Sequence, residues 1–294
     1  MLAVRAPATT ANLGSGYDTF GAALTGPADV VRVARADRTT ISVTGAGAQY
    51  VPERPEDNVA GVVARELGVT ASIRIDKGVR PSSGMGSSAA SAAGAALALA
   101  ELYDLDYARE ELVDVAAEGE ALVAGEAHAD NVAPALLGGF VIARDDGLVA
   151  VDAAVPLVVA LPEGAVSTSD ARGVVPDRVD TAALVETVGS AATLVTGMHR
   201  DDPELVGRGL RETVVTPRRA ALIDGYDDVR AAALAAGATG VTVSGAGPAV
   251  LAVCRASDRR RIAAVMVEAF DRAGVEARAF TTAVGDGAAV VERP

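Results

Sequence analysis

A glycine- and serine-rich segment that leads directly into an alanine-rich helical pattern is the feature that most constrains how this chain can fold. The segment covers residues 81–90 (PSSGMGSSAA), and the predicted helix covers residues 87–102. Glycines let the backbone approach a ligand, and the first helical turn leaves N–H groups unpaired at the positive end of the helix dipole. The pattern therefore predicts a site for a di- or triphosphate. An ordinary helix start, with serines as N-caps, is the alternative.

Two other phosphate-binding motifs fit this segment less well. A P-loop requires a lysine after its glycines, and the segment contains none. Gly84-x-Gly86-x-x-Ala89 has the spacing of the Rossmann fingerprint, but it does not directly follow a predicted strand. The region beyond Leu102 is predicted to be helical, so no second strand can supply the acidic residue that binds a ribose. A Rossmann oxidoreductase is therefore the least favoured enzyme class.

The order of the predicted elements indicates two α+β domains. Strands and helices are interleaved without a regular alternation, and 294 residues suffice for two domains with cores of their own. We place the boundary near residue 155, which gives domains at residues 1–154 and 155–294. Half of the residues are apolar but only 3% are aromatic, so small and β-branched side chains should build both cores.

The negative charge of the chain limits its partners. With 39 acidic and 26 basic residues, the formal net charge is −13. Nucleic acids and anionic membranes are bound through clustered positive charge, so neither is expected as a partner. Lys77 is the only lysine in the chain. This acidic, lysine-poor composition resembles that of proteins from salt-loving microbes.

The protein is expected to be cytoplasmic. Its first residues show no signal-peptide pattern, and the longest stretch of small apolar residues, 89–100, is too short to span a bilayer. The single cysteine, Cys254, follows an apolar run, where a buried and unreactive thiol is expected. The sequence leaves the oligomeric state open, a homodimer included.

Three segments together resemble the GHMP kinases, the superfamily of galactose, homoserine, mevalonate and phosphomevalonate kinases. The segment at residues 81–90 resembles the central motif of the superfamily, residues 5–14 (RAPATTANLG) its N-terminal motif, and residues 243–249 (VSGAGPA) its C-terminal glycine motif. The three occur in order and span nearly the whole chain. The resemblance implies an ATP-dependent small-molecule kinase with an N-terminal ATP-binding domain and a C-terminal ferredoxin-like domain.

Two further segments resemble the homoserine kinases in particular. These are residues 11–21 (ANLGSGYDTFG) and residues 128–139 (HADNVAPALLGG). Mevalonate and galactose kinases carry a basic residue in the first motif and a catalytic aspartate. Here Thr9 stands where mevalonate kinases have lysine, and Asn131 occupies the aspartate position. The resemblance implies that ATP phosphorylates the hydroxyl of L-homoserine in threonine biosynthesis.

ATP and Mg²⁺ are the implied cofactors. Mg²⁺ on ATP phosphates needs one or two protein oxygen ligands, which the hydroxyl of Ser88 and the carboxylate of Glu120 can supply. The resemblance assigns the same pair, although a salt-bridged carboxylate is the alternative for Glu120. Asn58 resembles an adenine-side residue, although it also suits a helix N-cap. The ATP-binding residues implied by the resemblance are Asn58, Pro81, Ser82, Ser83, Gly84, Met85, Gly86, Ser87 and Ser88.

Homoserine presents a carboxylate, an ammonium group and the reacting hydroxyl. Arginine binds a carboxylate through two parallel hydrogen bonds, whereas carboxylate and amide oxygens accept from an ammonium group. By resemblance, Arg172 and Arg219 would hold the carboxylate, with Arg218 as the alternative to Arg219. The remaining residues of the implied pocket are Asn12, Asp18, His128 and Asn131. His128 could equally be a structural histidine.

Asn131 and Thr168 are the candidate catalytic residues. The resemblance places Thr168 near the reacting hydroxyl, and Arg172 follows it by one helical turn, so the two can share a face. The sequence offers no obvious general base, and phosphoryl transfer depends mostly on positioning and charge neutralisation. We therefore expect direct attack of the hydroxyl on the γ-phosphate; Asp130 as a base is the rival mechanism. Another GHMP kinase, acting on mevalonate or shikimate, and a non-catalytic ATP-binding sensor are the alternative functions.

The charge excess generates a prediction on stability. Self-repulsion of the acidic residues destabilises the compact state until ions screen it. We expect the melting temperature to rise when KCl is increased from low to molar concentration, as measured by differential scanning fluorimetry. An unchanged melting temperature would contradict the salt-dependent stability that the composition indicates.

Overall fold

The structure is a computed structural model that describes residues 1–124 and 129–293. The strands of these residues are β1 (Leu2–Ala11), β2 (Phe20–Arg35), β3 (Thr40–Gly45), β4 (Ala71–Lys77), β5 (Phe140–Arg144), β6 (Gly147–Val151), β7 (Pro156–Pro162), β8 (Gly240–Val243), β9 (Val250–Val253), β10 (Ala277–Ala283) and β11 (Ala289–Glu292). The helices are α1 (Val59–Glu66), α2 (Ser87–Tyr103), α3 (Arg109–Ala124), α4 (Ala129–Leu137), α5 (Thr168–Gly173), α6 (Thr181–His199), α7 (Pro203–Gly209), α8 (Thr216–Ala220), α9 (Tyr226–Ala235) and α10 (Arg259–Arg272). Within the described residues, no helix is long and apolar enough to cross a membrane.

The first sheet has the strand order β11-β1-β2-β4-β3, and β5 joins it through β2 and carries β6 at its outer side. β2 is long enough to pair with β1, β4 and β5. Helix α2 lies against β1 and β2, and its alanines are buried among the strand valines and isoleucines. At Gly94, a side chain would come within 2.7 Å of Val31 Cγ2. The small residues of α2 thus let the helix lie close to the sheet.

The second sheet has the order β10-β7-β9-β8, and all of its neighbouring strands are antiparallel. Helices α5–α9 connect β7 to β8, and α10 connects β9 to β10. This order and connectivity are those of a ferredoxin-like unit. Ile262, Met266 and Phe270 of α10 are buried against the valines and alanines of this sheet. The predicted α+β class with a ferredoxin-like C-terminal part is confirmed.

The last strand returns to the first sheet. β7, which opens the second sheet, begins at Pro156, directly after the predicted boundary. β11 pairs with β1 in an antiparallel manner, with Val290 opposite Val4. Residues from the C-terminal end of the chain therefore contribute to the first sheet, and the division at residue 155 stays a prediction.

A buried ion pair joins β2 and β4 below residues 81–86, the predicted phosphate loop. Asp29 is fully buried and Lys77 is only 4% exposed. The Lys77 ammonium donates to Asp29, to the carbonyl oxygen of Ser87 at 2.7 Å and to Ser91 Oγ at 2.8 Å. The other oxygen of Asp29 accepts from the N–H groups of Gly78 and Val79, both at 3.0 Å. The pair therefore binds the chain on both sides of the loop.

Burial and ion pairing shift the pKa of Lys77 in opposite directions. Removal from water lowers the pKa of the Lys77 ammonium, whereas the Asp29 carboxylate raises it. Breaking such a buried pair by removing one partner leaves an uncompensated charge in the interior, which costs more than the pair itself contributes. The pair should thus be essential for stability even though its net contribution is modest.

We predict that Asp29→Asn lowers the free energy of unfolding by about 3–5 kcal/mol, because it leaves Lys77 buried without its counter-ion. Denaturant unfolding measures this change. Asp146→Asn is the matched control, because Asp146 pairs with Arg144 at 2.8 Å but both side chains are exposed. Exposed ion pairs contribute little, so the control should differ from the wild type far less. Equal losses in the two variants would contradict the role of the buried pair.

Candidate active site

The three glycine-containing segments meet at one place. Ser244 Oγ, in the turn between β8 and β9, donates to the carbonyl oxygen of Gly84 at 2.7 Å. Gly245 N donates to the carbonyl oxygen of Ala11, at the end of β1, at 2.9 Å. Ala249 N donates to the carbonyl oxygen of Ser83 at 3.2 Å. The turn of the second sheet therefore binds both the phosphate loop and the N-terminal segment.

The phosphate loop has the backbone of an anion site. Ser82, Gly84 and Gly86 alternate along the loop with φ values of +55°, +77° and +61°. Alternation of left-handed residues makes successive N–H groups converge in a concavity. A side chain at Gly84 would collide with the carbonyl oxygen of Ser244, and one at Gly86 with Thr9 Oγ1. Glycine is thus required both by conformation and by space.

A cleft of about 850 Å³ opens at this junction. The predicted site residues that line it are Asn12, Asp18, Asn58, Pro81, Ser82, Ser83, Gly84, Gly86, Ser87, Ser88, Glu120, Asn131, Thr168, Arg172 and Arg219. Met85 differs, because its side chain is buried in the core and its carbonyl oxygen accepts from Thr9 N. His128 lies outside the described residues.

The serine hydroxyls of the loop differ in their hydrogen bonding. Ser87 Oγ donates to the carbonyl oxygen of Val79 at 2.7 Å and so supports the loop from within. Ser83 Oγ is buried and has no hydrogen-bond partner among the described residues. Ser88, in the first turn of α2, is hydrogen-bonded to Glu120. Unlike Ser87, Ser83 and Ser88 can therefore serve a ligand through their hydroxyls.

Glu120 has the surroundings of a cation ligand. Burial raises the pKa of its carboxyl to about 7; the hydrogen bond from Ser88 and the charge of Lys77 lower it, and Asp130 raises it further. Its Oε1 atom is buried without a partner in the described part of the chain. A buried carboxylate oxygen beside a hydroxyl fits Mg²⁺, which takes one or two protein ligands and completes its shell with phosphate and water. Residues 1–124 and 129–293 contain no cluster of three or more His, Cys, Asp and Glu that could hold a metal ion.

Two arginines, Arg172 and Arg219, lie in the same part of the cleft wall. Arg172 Nη1 lies 3.5 Å from Asp18 Oδ2. Arg219 is only 3% exposed, donates to the carbonyl oxygens of Ala171 and Gly245 at 3.2 and 2.9 Å, and stacks over the ring of Tyr17 at 4.8 Å. Burial lowers the pKa of Arg219, and the nearby Tyr17 and Asp18 oppose this shift. Two guanidinium groups therefore line the same part of the cleft, where they can pair with an anionic ligand.

The alternative arginine lies elsewhere. Arg218 is exposed, donates to the carbonyl oxygen of Val214 and is not among the cleft-lining residues. Thr168 is the first residue of α5 and stands one turn before Arg172 on the same helix. Helix α8 carries Arg219, and α5 carries Thr168 and Arg172, so two short helices supply this part of the cleft.

Two asparagines of the cleft are linked through Asp130, which is 3% exposed. Asn12 Nδ2 donates to one carboxylate oxygen at 3.4 Å, and Asn131 Nδ2 donates to the other at 3.3 Å. Asn12 Oδ1 in turn accepts from the N–H group of Asp18 at 2.9 Å. Asp130 therefore orients both amides, a role that sequence reasoning did not assign to it.

Asn58 has the helix-capping role. Its Oδ1 accepts from Ala60 N at 2.9 Å, and its Nδ2 donates to the carbonyl oxygen of Pro52 at 2.6 Å. Both ends of the amide are thus bound to backbone, although the residue lies in the cleft wall. The N-cap alternative describes this side chain.

Sequence reasoning missed several residues that support the site. Thr9 was noted only as a replacement for a lysine, and Tyr17, Asp29, Lys77 and Ser91 were assigned no role. The solitary lysine was the available signal for Lys77, whereas Asp29 follows Gly26, Pro27 and Ala28 and carried no comparable signal.

Comparison with known proteins identifies the family. The family described as the GHMP kinases N terminal domain matches residues 56–139, and the GHMP kinases C terminal family matches residues 194–272. A homoserine kinase from Haloarcula marismortui is 64% identical over 99% of this chain and 100% of its own length. One from Natronomonas pharaonis is 62% identical over 98% and 99% of the two chains. Both come from haloarchaea, in agreement with the acidic, lysine-poor composition.

A solved structure agrees over the same length. The crystal structure of homoserine kinase from Cytophaga hutchinsonii superimposes with a TM-score of 0.90 at 33% sequence identity, covering 99% of this chain and 97% of that one. Sequence and fold thus match the same kind of protein from end to end. The chain therefore belongs to the GHMP kinases and, within them, to the homoserine kinase family.

Proposed function

We propose that this protein is an ATP-dependent homoserine kinase, which transfers the γ-phosphate of ATP to the hydroxyl of L-homoserine and yields O-phospho-L-homoserine for threonine biosynthesis. The observation that carries the proposal is that a single cleft is lined both by the phosphate loop and by the cluster of Arg172, Arg219 and Asp18. The names of the similar proteins support the same substrate. We assign the reaction to the cytoplasm, where ATP and amino acids are available.

The charge pattern of the cluster suits a zwitterionic amino acid. A substrate carboxylate would pair with Arg172 and Arg219, and its ammonium group would donate to Asp18. Mevalonate and shikimate also carry a carboxylate, but they have no ammonium group for Asp18. A site built to bind such a group rejects a compound that lacks it, because its own polar groups then lose their partner.

The phosphate loop would bind ATP through its converging N–H groups and the N-terminus of α2. Ser88 and Glu120 would hold Mg²⁺ on the phosphates, because they form the hydroxyl and carboxylate pair with an unused buried oxygen. When bound, Mg²⁺ supplies positive charge that neutralises the phosphates and orients them for transfer. The presence of this pair favours an enzyme over a non-catalytic ATP sensor.

The transfer step needs no protein base. The homoserine oxygen forms a bond to the γ-phosphorus, the bond between that phosphorus and the bridging oxygen of ADP breaks, and the hydroxyl proton passes to an oxygen of the transferred group. Asn131 and Thr168 would hold the hydroxyl in line. Both carboxylate oxygens of Asp130 already accept hydrogen bonds from amides, which favours this direct path over Asp130 as a base.

A substrate panel tests the proposed function. Purified protein with ATP and Mg²⁺ is assayed by ADP release with homoserine, mevalonate, shikimate and galactose at equal concentration. We expect turnover with homoserine and only background with the other three. Faster turnover with mevalonate, shikimate or galactose would contradict the assignment.

Glu120→Gln should lower kcat by roughly two orders of magnitude, because several kcal/mol of metal-dependent charge stabilisation are lost. The fold should persist, since the amide has the shape of the neutral carboxyl that burial already favours. Initial rates across a Mg²⁺ titration measure the effect. Glu118→Gln, an exposed residue of the same helix, is the control. Near wild-type kcat for Glu120→Gln would remove Glu120 from the metal site.

Arg172→Lys should raise KM for homoserine about tenfold and leave KM for ATP nearly unchanged, because lysine cannot make two parallel hydrogen bonds to a carboxylate. Initial rates with each substrate varied in turn measure the two constants. Arg218→Lys is the control, since Arg218 is exposed and outside the cleft. An equal rise of both constants in Arg172→Lys would separate Arg172 from the amino-acid pocket.

A further inference from the structure

Thr9 lies outside the cleft and is hydrogen-bonded to two parts of the active site. It is fully buried in β1 and does not line the cleft. Its N–H group donates to the carbonyl oxygen of Met85 in the phosphate loop at 3.1 Å. Its hydroxyl donates to Asn131 Oδ1, at the start of α4, at 2.8 Å. One residue therefore binds the phosphate loop with its backbone and the candidate catalytic amide with its side chain.

These contacts fix which end of the Asn131 amide faces which neighbour. An amide oxygen only accepts hydrogen bonds, and an amide nitrogen only donates them. Oδ1 accepts from Thr9, while Nδ2 donates to Asp130 Oδ1 at 3.3 Å. The reversed amide would set its oxygen against the Asp130 carboxylate, where two acceptors repel each other. Asp130 thus selects this orientation, and the Thr9 hydroxyl, which can donate, supplies the matching hydrogen bond to Oδ1.

The amide keeps one hydrogen on Nδ2 and one lone pair on Oδ1 for a ligand. Nδ2 has two hydrogens, and the bond to Asp130 uses one of them. Asn131 lines the cleft beside the phosphate loop, where a Cβ at Gly86 would lie 2.9 Å from its Oδ1. The second N–H is the donor that Asn131 can offer to a lone pair of a reacting oxygen.

We propose that Thr9 is a positioning residue that holds the Asn131 amide as a hydrogen-bond donor toward the reacting oxygen. This inference rests on the proposed function. A donor at this position binds a lone pair of the homoserine oxygen and leaves the hydroxyl hydrogen free to pass to the transferred phosphoryl group. It holds the nucleophile for in-line attack without removing its proton.

Thr9→Val and Thr9→Ser separate the hydroxyl from the shape of the side chain. Valine replaces the hydroxyl with a methyl group, whereas serine keeps the hydroxyl. We expect Thr9→Val to lower kcat roughly 10- to 100-fold, as an unmade buried hydrogen bond and a misoriented amide would do. KM for ATP should stay within about twofold of the wild type, because the variant keeps the backbone hydrogen bond from residue 9 to Met85 in the phosphate loop. Thr9→Ser should keep kcat within about threefold of the wild type.

Thr242→Val is the matched control. Thr242 is also fully buried in a strand, but its hydroxyl lies 3.5 Å from that of Thr216 at the start of α8, and neither residue lines the cleft. It should lose stability without losing kcat. Wild-type kcat in Thr9→Val, or an equal loss in Thr9→Val and Thr9→Ser, would overturn the proposal.

Asn131 variants supply a test that does not depend on Thr9→Val folding. Asn131→Asp removes the donor and keeps the acceptor, so we expect its kcat to be as low as that of Asn131→Ala. Thr9→Val should cause no additional loss in the Asn131→Ala background, because the two residues act through one bond. Additive losses, or an Asn131→Asp variant near wild-type kcat, would overturn the donor role. Absence of homoserine phosphorylation in the wild-type protein would instead overturn the proposed function.

Discussion

The contact between the glycine turn of the second sheet and the phosphate loop is the interaction on which the rest of the site depends. Ser244 and Ala249 bind the loop, and Gly245 binds the end of β1. Because the backbones approach so closely, Gly84 accepts no side chain. The same turn receives a hydrogen bond from Arg219 at the carbonyl oxygen of Gly245. The ATP part and the amino-acid part of the cleft are thus fixed relative to each other.

Buried polar groups hold the remaining parts of the site in place. The Asp29–Lys77 pair binds the chain before and after the phosphate loop, and Asp130 binds the amides of Asn12 and Asn131. Every hydrogen of the Lys77 ammonium has an acceptor, so the large desolvation cost is offset as far as geometry allows. A chain with a net charge of −13 keeps its one lysine at this position, in the interior rather than on the surface.

The sequence predicted those features that local patterns determine. The turn at residues 81–86 and helix α2 followed from the glycine and serine positions and the alanine-rich helical pattern. The short helix α8, with five residues, was missed because it is too short to show periodicity. The bonds from Lys77 to Asp29 and from Thr9 to Asn131 join residues 48 and 122 positions apart, so they depend on the assembled fold. Asn58 shows the converse, because its N-capping bond is local and could be predicted from the sequence, while its place at the adenine side stays a prediction.

Direct transfer of the phosphoryl group between two substrates held in one cleft is the central claim of this account. Its most direct test is the stereochemical course with ATP made chiral at the γ-phosphorus by oxygen isotopes, followed by analysis of the phosphorylated homoserine. A single in-line attack by the substrate hydroxyl inverts the configuration at phosphorus, and inversion is the predicted result. Retention would require two successive displacements through a phosphorylated protein residue, and it would contradict direct attack.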